Sequence, residues 1–302
     1  MLERTAQACR ENYLSFRNVL GVGAGFKFKG GRPLLDCLCI HFYVRKKLRK
    51  PARATRLPRF VYARRSNGSL DRSHQIRTDV LELRQPKFAS CKAGCSLDVI
   101  GESGTITFLF RNRVDSAPGY FLITCAHVAG DVVRPVPADP TIKADCCPSE
   151  GAFAETLVNS THEGDTLKYD VAVARVSDEC SPQPDKAIRT TPDRLSAFLD
   201  PSDLRPGLRF DCAFGVSNTV SATVTSYRTA LPLILDGREY WVENLFLIDQ
   251  APRPGDSGGL LYVDTLGAGI LVGLANGHGL FQPLAESFEH IQNLSPVPIR
   301  CF

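Results

Sequence analysis

The chain has 302 residues, 43% of them hydrophobic, and its 36 lysines and arginines slightly outnumber its 32 aspartates and glutamates. This length is enough for two domains with hydrophobic cores, and this composition excludes wholesale disorder. No stretch reaches the roughly 18 apolar residues of a membrane span, and the first thirty residues lack the charged head and apolar core of a secretion signal. The sequence therefore predicts a globular protein with no membrane span.

Charge divides the chain more sharply than its net charge of +4 suggests. Residues 1–88 contain 20 basic and 6 acidic side chains, a formal +14, whereas residues 89–302 contain 16 basic and 26 acidic side chains, a formal −10. We therefore predict two domains, a basic amino-terminal domain over 1–88 and a second domain over 89–302.

The most basic segment runs from Arg45 to Arg65 and holds ten basic residues and no acid, with Pro51 and Pro58 interrupting any helix. Three interpretations remain open. The segment lies against the acidic second domain or stays solvated, it docks an acidic protein partner, or it binds nucleic acid. Few aromatic residues are interleaved and no nucleic-acid motif is present, and the salt dependence of binding would separate these possibilities.

The amino-terminal domain reads as a small α+β unit. Apolar positions over residues 2–16 have helical spacing. Val19 to Phe28 and Leu34 to Val44 read as two strands of a hairpin joined by a Gly30-Gly31 turn. The glycine run from Gly21 to Gly25 lacks the preceding strand and the spacing of a dinucleotide fingerprint, so it is interpreted as strand glycine.

From residue 95 onward, short apolar runs alternate with Gly, Pro and Asp, a pattern typical of a β-sandwich or β-barrel. The carboxyl-terminal run from Leu284 to Leu294 is predicted to be a closing helix. The predicted strands are Thr105–Phe110, Tyr120–Thr124, Val171–Val176, Phe210–Phe214, Thr219–Tyr227, Tyr240–Leu247, Leu260–Val263 and Ile270–Leu274.

Three short motifs within this strand-rich part supply the components of one reaction. They are Thr124-Cys125-Ala126-His127, Tyr169-Asp170-Val171-Ala172-Val173 and Gly255-Asp256-Ser257-Gly258-Gly259. A serine hydroxyl is a poor nucleophile at neutral pH, so Ser257 needs a base such as His127, and Asp170 would orient the imidazole and stabilise its charged form. The motifs predict a His127, Asp170 and Ser257 triad, against the simpler alternatives of a glycine-rich turn, a core histidine and a strand-capping carboxylate.

Glycines around the serine favour the same chemistry. A tetrahedral oxyanion requires backbone N–H donors on an unhindered loop, and we predict these donors to be the amides of Gly255 and Ser257.

These motifs resemble those of the chymotrypsin-like serine peptidases. The resemblance also covers the spacing, 43 residues from His127 to Asp170 and 87 from Asp170 to Ser257, and extends over about the last two thirds of the chain. It implies a mainly β fold of two six-stranded β-barrels, preceded here by the α+β domain, with His127 and Asp170 from the first barrel and Ser257 from the second. It also implies a protein or peptide as substrate.

The amino-terminal part resembles, more loosely, the domain that precedes the peptidase in some intracellular bacterial and plant trypsin-like proteins. The shared features are Asn18 to Gly23, the strand ending Tyr43 to Lys47, the Leu57-Pro58 stretch and Thr78 to Glu82.

The resemblance also indicates a substrate-binding pocket and two departures from the secreted enzymes. Ala251 stands six residues before Ser257, where enzymes selective for Lys or Arg carry an acid, and the far pocket wall falls at Ala275-Asn276-Gly277. An uncharged pocket predicts a small or apolar residue ahead of the cut. No Ile-Val-Gly-Gly-like start follows a basic residue near position 95, so Asp256 is expected to bond another side chain or backbone donors.

The chain contains eleven cysteines, an odd number, with Val128 where the secreted enzymes usually carry a cysteine after the histidine. We interpret the thiols as reduced, which predicts a cytoplasmic protein. The spacing from Cys91 to Cys95 would suit zinc, but Cys37 and Cys39 are too close together and no other pair completes a site, so neither a metal nor a cofactor is predicted.

Two other functions stay open at this stage. One is a partner-binding module with a peptidase fold that is gated or inactive alone, although such a module would not need a complete triad. The other is an esterase, since Gly255, Ser257 and Gly259 satisfy Gly-x-Ser-x-Gly, but the histidine would then come last in the chain.

Overall fold

A computed structural model describes most of the chain and shows a mainly β protein. Within the described residues, nineteen strands form two sheets and three α-helices accompany them. The described residues are 1–30, 32–48, 51–52, 55–83, 96–99, 102–129, 141–144, 154–160, 166–176, 195–214, 218–235 and 238–302.

The amino-terminal part begins with a helix that packs on four strands. These elements are α1 (Leu2–Tyr13), β1 (Val19–Lys29), β2 (Arg32–Val44), β3 (Phe60–Arg64) and β4 (Leu70–Glu82). The helix places Ala6 and Cys9 against apolar side chains of the strands, which form a separate hydrophobic cluster. The predicted helix and hairpin are confirmed, although the helix ends three residues earlier than expected.

A seven-stranded sheet follows and carries the first two motifs. Its order is β6-β5-β9-β10-β12-β8-β7, and the short helix α2 (Ala126–Ala129) comes directly after β8. The strands are β5 (Ser96–Val99), β6 (Glu102–Thr105), β7 (Phe108–Arg111), β8 (Tyr120–Thr124), β9 (Thr141–Ala144), β10 (Ala154–Asn159) and β12 (Ala172–Val176).

The remaining strands join the amino-terminal ones in a twelve-stranded sheet, which the helix α3 (Leu284–Leu294) accompanies. The strands are β11 (Thr166–Leu167), β13 (Ala197–Phe198), β14 (Arg209–Phe214), β15 (Asn218–Leu235), β16 (Arg238–Ile248), β17 (Leu260–Val263), β18 (Leu266–Ala275) and β19 (His278–Pro283).

Six of these strands pair in a closed circuit. β14 pairs with β15, β15 with β16, β16 with β19, β19 with β18, β18 with β17, and β17 with β14. β1 pairs with the middle of β15, where Ala24 faces Tyr227, so the amino-terminal strands continue the same sheet.

A second hydrophobic cluster lies between the two sheets. It combines Leu122 and Val173 of the seven-stranded sheet with Leu231 and Val272 of the twelve-stranded one, all fully buried. The cluster therefore packs the sheet next to the first two motifs against the sheet whose strands β16 and β17 flank Ser257.

Most predicted strands are confirmed, and two differ in an informative way. The predicted strand Thr105–Phe110 is wrong as a single strand, because β6 ends at Thr105 and β7 begins at Phe108. The predicted strand at Thr219–Tyr227 is too short, because β15 continues through Pro232 to Leu235. Three register shifts and a positive φ of 51° at Arg228 let this strand bend and continue.

None of the helices in the described residues has the length and apolar composition needed to cross a bilayer. Six of the eleven cysteines lie in the described residues, namely Cys9, Cys37, Cys39, Cys125, Cys212 and Cys301. The Cys125 thiol donates a hydrogen bond to the Leu271 carbonyl. The boundary predicted between residues 88 and 89 and the Cys91 to Cys95 pair lie outside the described residues.

Candidate active site

His127 sits on a short, rigid segment that follows a buried strand. β8 ends at Thr124, and the single turn of α2 then begins, with Val128 and Ala129 both donating their amides to the Cys125 carbonyl. The His127 side chain is almost completely buried. The backbone therefore fixes the position of the imidazole before any side-chain contact is considered.

Asp170 reaches the same place from the neighbouring strand. β12 pairs antiparallel with β8, with Ala172 opposite Thr124, so the residue just before β12 lies beside the residue just after β8. Asp170 Oδ1 accepts the His127 backbone amide at 3.0 Å, and Asp170 Oδ2 lies 2.5 Å from His127 Nδ1. The structure thus brings together the first two predicted residues, which are 43 positions apart.

Both contacts constrain the imidazole. Because a carboxylate only accepts hydrogen bonds, the short contact assigns the proton to Nδ1, which leaves Nε2 of the neutral ring as a hydrogen-bond acceptor. The second carboxylate oxygen holds the His127 backbone, so the ring and its main chain are fixed by one side chain. This is the tautomer that a general base needs.

Gln282 supports Asp170 and was missed by the sequence analysis. Its Oε1 accepts the Asp170 amide at 2.8 Å, and its Nε2 donates to the carbonyls of Lys168 at 2.8 Å and Glu243 at 3.0 Å. The side chain is fully buried. The one available signal was a polar residue within the apolar run before α3, since its partners lie 39 to 114 positions away.

The serine motif begins with a tight turn over Arg253-Pro254-Gly255-Asp256. The Asp256 amide donates to the Arg253 carbonyl at 3.0 Å, and Gly255 has a φ of 94°. Proline followed by a residue of positive φ is the pattern of a type II turn, which glycine adopts without strain. The hydrogen bond of the turn uses the Asp256 amide. It does not use the Gly255 amide, which is one of the two predicted oxyanion donors.

The fully buried Asp256 carboxylate bonds inside the same turn. Its Oδ2 accepts the Arg253 amide at 2.7 Å. At least one carboxylate oxygen is thus satisfied by a backbone donor of the intact chain, as expected from the missing Ile-Val-Gly-Gly-like start.

Two threonines, one at the end of β6 and one between β6 and β7, hold the serine turn in place. The Thr105 amide donates to the Ser257 carbonyl at 2.6 Å, and its Oγ1 donates to the Gly255 carbonyl at 2.9 Å. Thr107 Oγ1 donates to the Gly258 carbonyl at 2.7 Å. These bonds explain why the strand predicted over 105–110 is interrupted, because this stretch bonds the serine turn across the two sheets.

A shared acceptor ties the serine turn to the histidine segment. The Leu271 carbonyl accepts both the Gly258 amide and the Cys125 thiol, each at 2.9 Å. Cys125 lies two positions before His127, and Gly258 directly follows Ser257. The structure therefore gathers all three predicted triad residues at the junction of the two sheets, where the Ser257 side chain is fully buried.

Gly258 shows how tightly this junction is packed. Its φ is 85°, and a Cβ added there would lie 2.1 Å from the Thr105 carbonyl oxygen and 2.9 Å from Thr124 Oγ1. No side chain larger than hydrogen fits without moving the backbone.

The four predicted substrate-binding residues differ in exposure and lie in two segments of the chain. Ala251 is exposed and Ala275 is buried at the end of β18. Asn276 and Gly277 form the two-residue turn between β18 and β19, with φ angles of 50° and 80°. The neighbouring Gly279 amide donates to the Gln250 carbonyl at 2.8 Å, which brings the two segments together beside Ala251. Their role in substrate binding stays a prediction.

Two groups within the described residues place three potential metal ligands with donor atoms within 4.8 Å: Cys39, His41 and Asp79, and Cys125, His127 and Asp170. In the first, His41 Nε2 lies 2.8 Å from the Phe26 carbonyl and Nδ1 lies 3.2 Å from the Tyr43 hydroxyl. In the second, Cys125 donates to a carbonyl and His127 Nδ1 meets Asp170. Hydrogen bonds explain both arrangements without an ion.

No family model and no curated protein matches the chain. The solved structures to which it is similar are chymotrypsin-like serine proteases. A glutamic acid specific serine protease has 17% identity and a TM-score of 0.45, with 66% of this chain and 96% of that chain covered. Thermobifida fusca Protease A has 12% identity and a TM-score of 0.45, with 66% and 94% covered. Cellulomonas bogoriensis chymotrypsin has 14% identity and a TM-score of 0.45, with 70% and 98% covered. Because the sequence identities and TM-scores are low, any activity has to be argued from the side chains of this chain itself.

Proposed function

We propose that this protein is a serine endopeptidase that hydrolyses peptide bonds of a protein or peptide substrate. The observation that carries the proposal is the double contact between Asp170 and His127, buried beside the turn that presents Ser257. A structural histidine needs no carboxylate on both its ring and its backbone, whereas a general base needs a fixed tautomer and orientation.

The reaction follows from these positions. Ser257 Oγ attacks the substrate carbonyl while His127 Nε2 takes the hydroxyl proton, and Asp170 stabilises the resulting imidazolium. His127 then returns that proton to the leaving amine, so the C–N bond breaks and an acyl-enzyme remains. A water molecule then attacks the carbonyl of the acyl-enzyme while His127 takes one of its protons. The bond to Ser257 Oγ breaks, the acyl group leaves as a carboxylic acid, and His127 returns the proton to Ser257.

The negative oxygen of each tetrahedral intermediate requires donors, and we assign them to the amides of Gly255 and Ser257. The type II turn and the threonine contacts support this assignment because they hold the backbone on both sides of Ser257. The loss of one such donor costs on the order of 3 kcal/mol of transition-state stabilisation. A preorganised turn avoids that loss.

The proposal includes an architecture of two six-stranded β-barrels behind an amino-terminal α+β domain. The closed circuit of six strand pairings, from β14 through β15, β16, β19, β18 and β17, supports the second barrel. The seven-stranded sheet would supply the first. His127 follows its strand β8 and Asp170 precedes its strand β12, which is consistent with the division of the triad between barrels.

For specificity, we propose that Ala251, Ala275, Asn276 and Gly277 line the pocket for the residue ahead of the cut. None of these side chains carries a charge, so a small or apolar residue is expected there. A peptide library tests this assignment, and a strong preference for Arg or Lys would overturn it. A narrow, regulated role in the cytoplasm is part of the same proposal.

The deciding experiment is labelling of the purified, uncleaved chain with a fluorophosphonate probe. We expect one probe per chain, and loss of labelling in both Ser257→Ala and His127→Ala. Ser287→Ala is a matched control, because Ser287 is also fully buried and bonds only the Pro283 carbonyl among the described contacts. This control should keep the labelling of the parent chain.

Each alternative predicts a different result. If the folded intact chain is not labelled, the peptidase proposal fails and a gated or inactive binding module is left. If the chain is labelled but cleaves ester substrates and no peptide in the library, the enzyme is an esterase.

A further inference from the structure

The amino-terminal part contains a cavity of about 720 Å³ that plays no part in the proposed reaction. Its walls come from the α1–β1 connection, the carboxyl end of β2, the segment over 55–60 and strand β4. A volume between about 300 and 1,000 Å³ is typical of sites for small organic molecules. The cavity is therefore large enough for a ligand of that size.

The charge around this cavity is strongly one-sided. Four arginines line it, namely Arg17, Arg56, Arg59 and Arg77. Three lysines also line it, namely Lys27, Lys46 and Lys47. Among the lining residues that the structure describes, the single acidic side chain is Asp79, whose Oδ2 already accepts the Phe28 amide at 2.7 Å. The cavity thus presents a positive field to an anion.

None of these seven cations forms an ion pair with any residue that the structure describes. The ion pairs found there are Arg65 with Asp71, Arg228 with Glu286, and His127 with Asp170. Gathering like charges around one concavity is electrostatically unfavourable unless an anion neutralises them. Within the part of the chain that the structure describes, the chain's own acids therefore do not neutralise these side chains.

The cavity lining also contains apolar side chains. Val19 and Val44 are buried beneath it, and Phe16 and Leu57 are partly buried against the same cluster. Phe60 is 48% exposed and lines the cavity as well, so a flat aromatic face is available to a ligand. This combination suits a molecule with several anionic groups and an apolar or aromatic body.

Hydrogen bonds hold the walls in place without a ligand. Thr78 donates its amide to the Arg59 carbonyl at 3.1 Å and its hydroxyl to the Pro58 carbonyl. Asn18 Nδ2 donates to the Lys46 carbonyl at 2.8 Å, and the Lys46 amide donates to Asn18 Oδ1 at 3.2 Å. The backbone at Arg59 and Lys46 is therefore held in place before a ligand arrives, which lowers the entropic cost of binding.

We propose that this cavity binds a small organic phosphate that carries at least two phosphate groups and an aromatic body, as a nucleoside diphosphate does. Guanidinium groups match phosphate oxygens in pairs, and seven cations suit a multiply charged anion better than a single carboxylate. The bounded volume and the exposed Phe60 favour such a small molecule over a nucleic-acid duplex or an acidic protein chain. The inference is independent of the peptidase chemistry, because its readout is binding.

The test is calorimetric titration of the 302-residue chain with ADP, with inorganic pyrophosphate and with adenosine. ADP should bind with one site per chain and more tightly than either fragment. Arg56→Glu with Arg59→Glu should weaken ADP binding about tenfold or more, since each arginine lost removes charge-assisted hydrogen bonds. Both arginines are exposed, so the double variant should keep its fold, which circular dichroism and the thermal midpoint check.

Arg4→Glu with Arg72→Glu is the matched control. These two arginines are exposed in the same part of the chain but do not line the cavity, and the change in net charge is identical. Absence of saturable ADP binding, or equal weakening by the two double variants, would overturn the proposal. Tighter binding of a short DNA duplex or a glutamate-rich peptide than of ADP would also overturn it and assign the surface to a macromolecule.

Discussion

The candidate active site and the basic cavity differ in how their polar side chains are bonded. In the site, Asp170, Gln282 and Asp256 are fully buried and bond to backbone amides or carbonyls of the same chain. In the cavity, seven cations lie around one concavity and form no ion pair with any described residue.

This contrast separates two uses of polar side chains. Buried groups that bond one another fix a geometry in advance and favour chemistry, because their orientation costs nothing when a substrate arrives. Unpaired surface charges contribute little to a fixed geometry, but they attract an oppositely charged ligand. Substitutions in the site should therefore have large effects on activity and folding, and substitutions of surface charges should have small effects on folding.

The largest effect is expected for Asp170→Asn. The amide would donate where the carboxylate accepts, so the wrong His127 tautomer would be favoured, and the rate of fluorophosphonate labelling should fall about 10⁴-fold. Asp115→Asn, at an exposed carboxylate, should leave that rate unchanged. A fall of less than tenfold in the folded Asp170 variant would remove Asp170 from the mechanism.

Gly258→Ala and Gly68→Ala compare the same backbone conformation in the two parts of the molecule. Their φ angles are 85° and 78°, but a Cβ at Gly258 would meet the Thr105 carbonyl at 2.1 Å, whereas nothing lies within 4 Å at Gly68. Gly68→Ala should lower the free energy of unfolding by the left-handed strain alone, about 1 to 2 kcal/mol. Gly258→Ala should lower it by about 4 kcal/mol or more. Equal losses in chemical denaturation would show that the junction is not tightly packed.

Gln282→Leu tests whether the support behind Asp170 matters. The substitution keeps a similar volume but leaves the Asp170 amide and two carbonyls without their side-chain partner, which should cost about 3 kcal/mol of unfolding free energy. The labelling rate should fall as well, and Gln292→Leu is the control on α3. An unchanged rate in the folded variant would restrict Gln282 to a structural role.

The amino-terminal part also contains a buried titratable group, His41, which allows the effect of burial to be tested outside the candidate site. Burial lowers the pKa of His41 from 6.5 to about 4, an effect opposed by its bond to Phe26 and by Asp79, while His278 lowers the pKa further. Below pH 6.5 the unfolded chain takes up a proton that the folded chain does not, so stability should fall as the pH falls from 6.5 towards 4.

The expected loss from this residue is about 2 kcal/mol of unfolding free energy between pH 7 and pH 5. His41→Gln cannot titrate, so denaturation at the two pH values should show a shallower pH dependence than in the parent chain. Equal slopes in the two proteins would mean that His41 does not carry this dependence.

The smallest effect is expected for Arg65→Ala. Arg65 pairs with Asp71 at 3.4 Å, but its side chain is 58% exposed and the pair is open to solvent. Its removal should change the unfolding free energy by no more than about 0.5 kcal/mol. A loss above 2 kcal/mol would show that surface charges do organise the amino-terminal fold.

Local patterns in the sequence predicted most of the secondary structure. Strands β8 and β17 and helix α3 were predicted to the residue, because their apolar runs end at Gly, Pro, Asp or polar residues. The strand predicted over Thr219–Tyr227 was too short, because β15 continues to Leu235 through Pro232, a residue that is rare inside an interior strand. The pairing of β1 with β15 has no local signal, since the partners lie about 200 positions apart.

The candidate site divides in the same way. His127, Asp170 and Ser257 were predicted because each stands in a recognisable short motif, and the structure brings their segments together. Gln282 and the clamping residue Thr107 were missed because glutamine and threonine act there through bonds to distant backbone atoms, and such bonds leave no periodicity in the sequence.

The pairing of β1 with β15 has a consequence for biosynthesis. At about 5 to 20 residues per second, on the order of ten to forty seconds pass between translation of the first strand and translation of its partner. During this interval one edge of the nascent hairpin has no neighbour, and an open edge invites pairing with other nascent chains. A chain released from a ribosome before residue 218 is made would therefore be an aggregation-prone fragment with an unpaired strand edge.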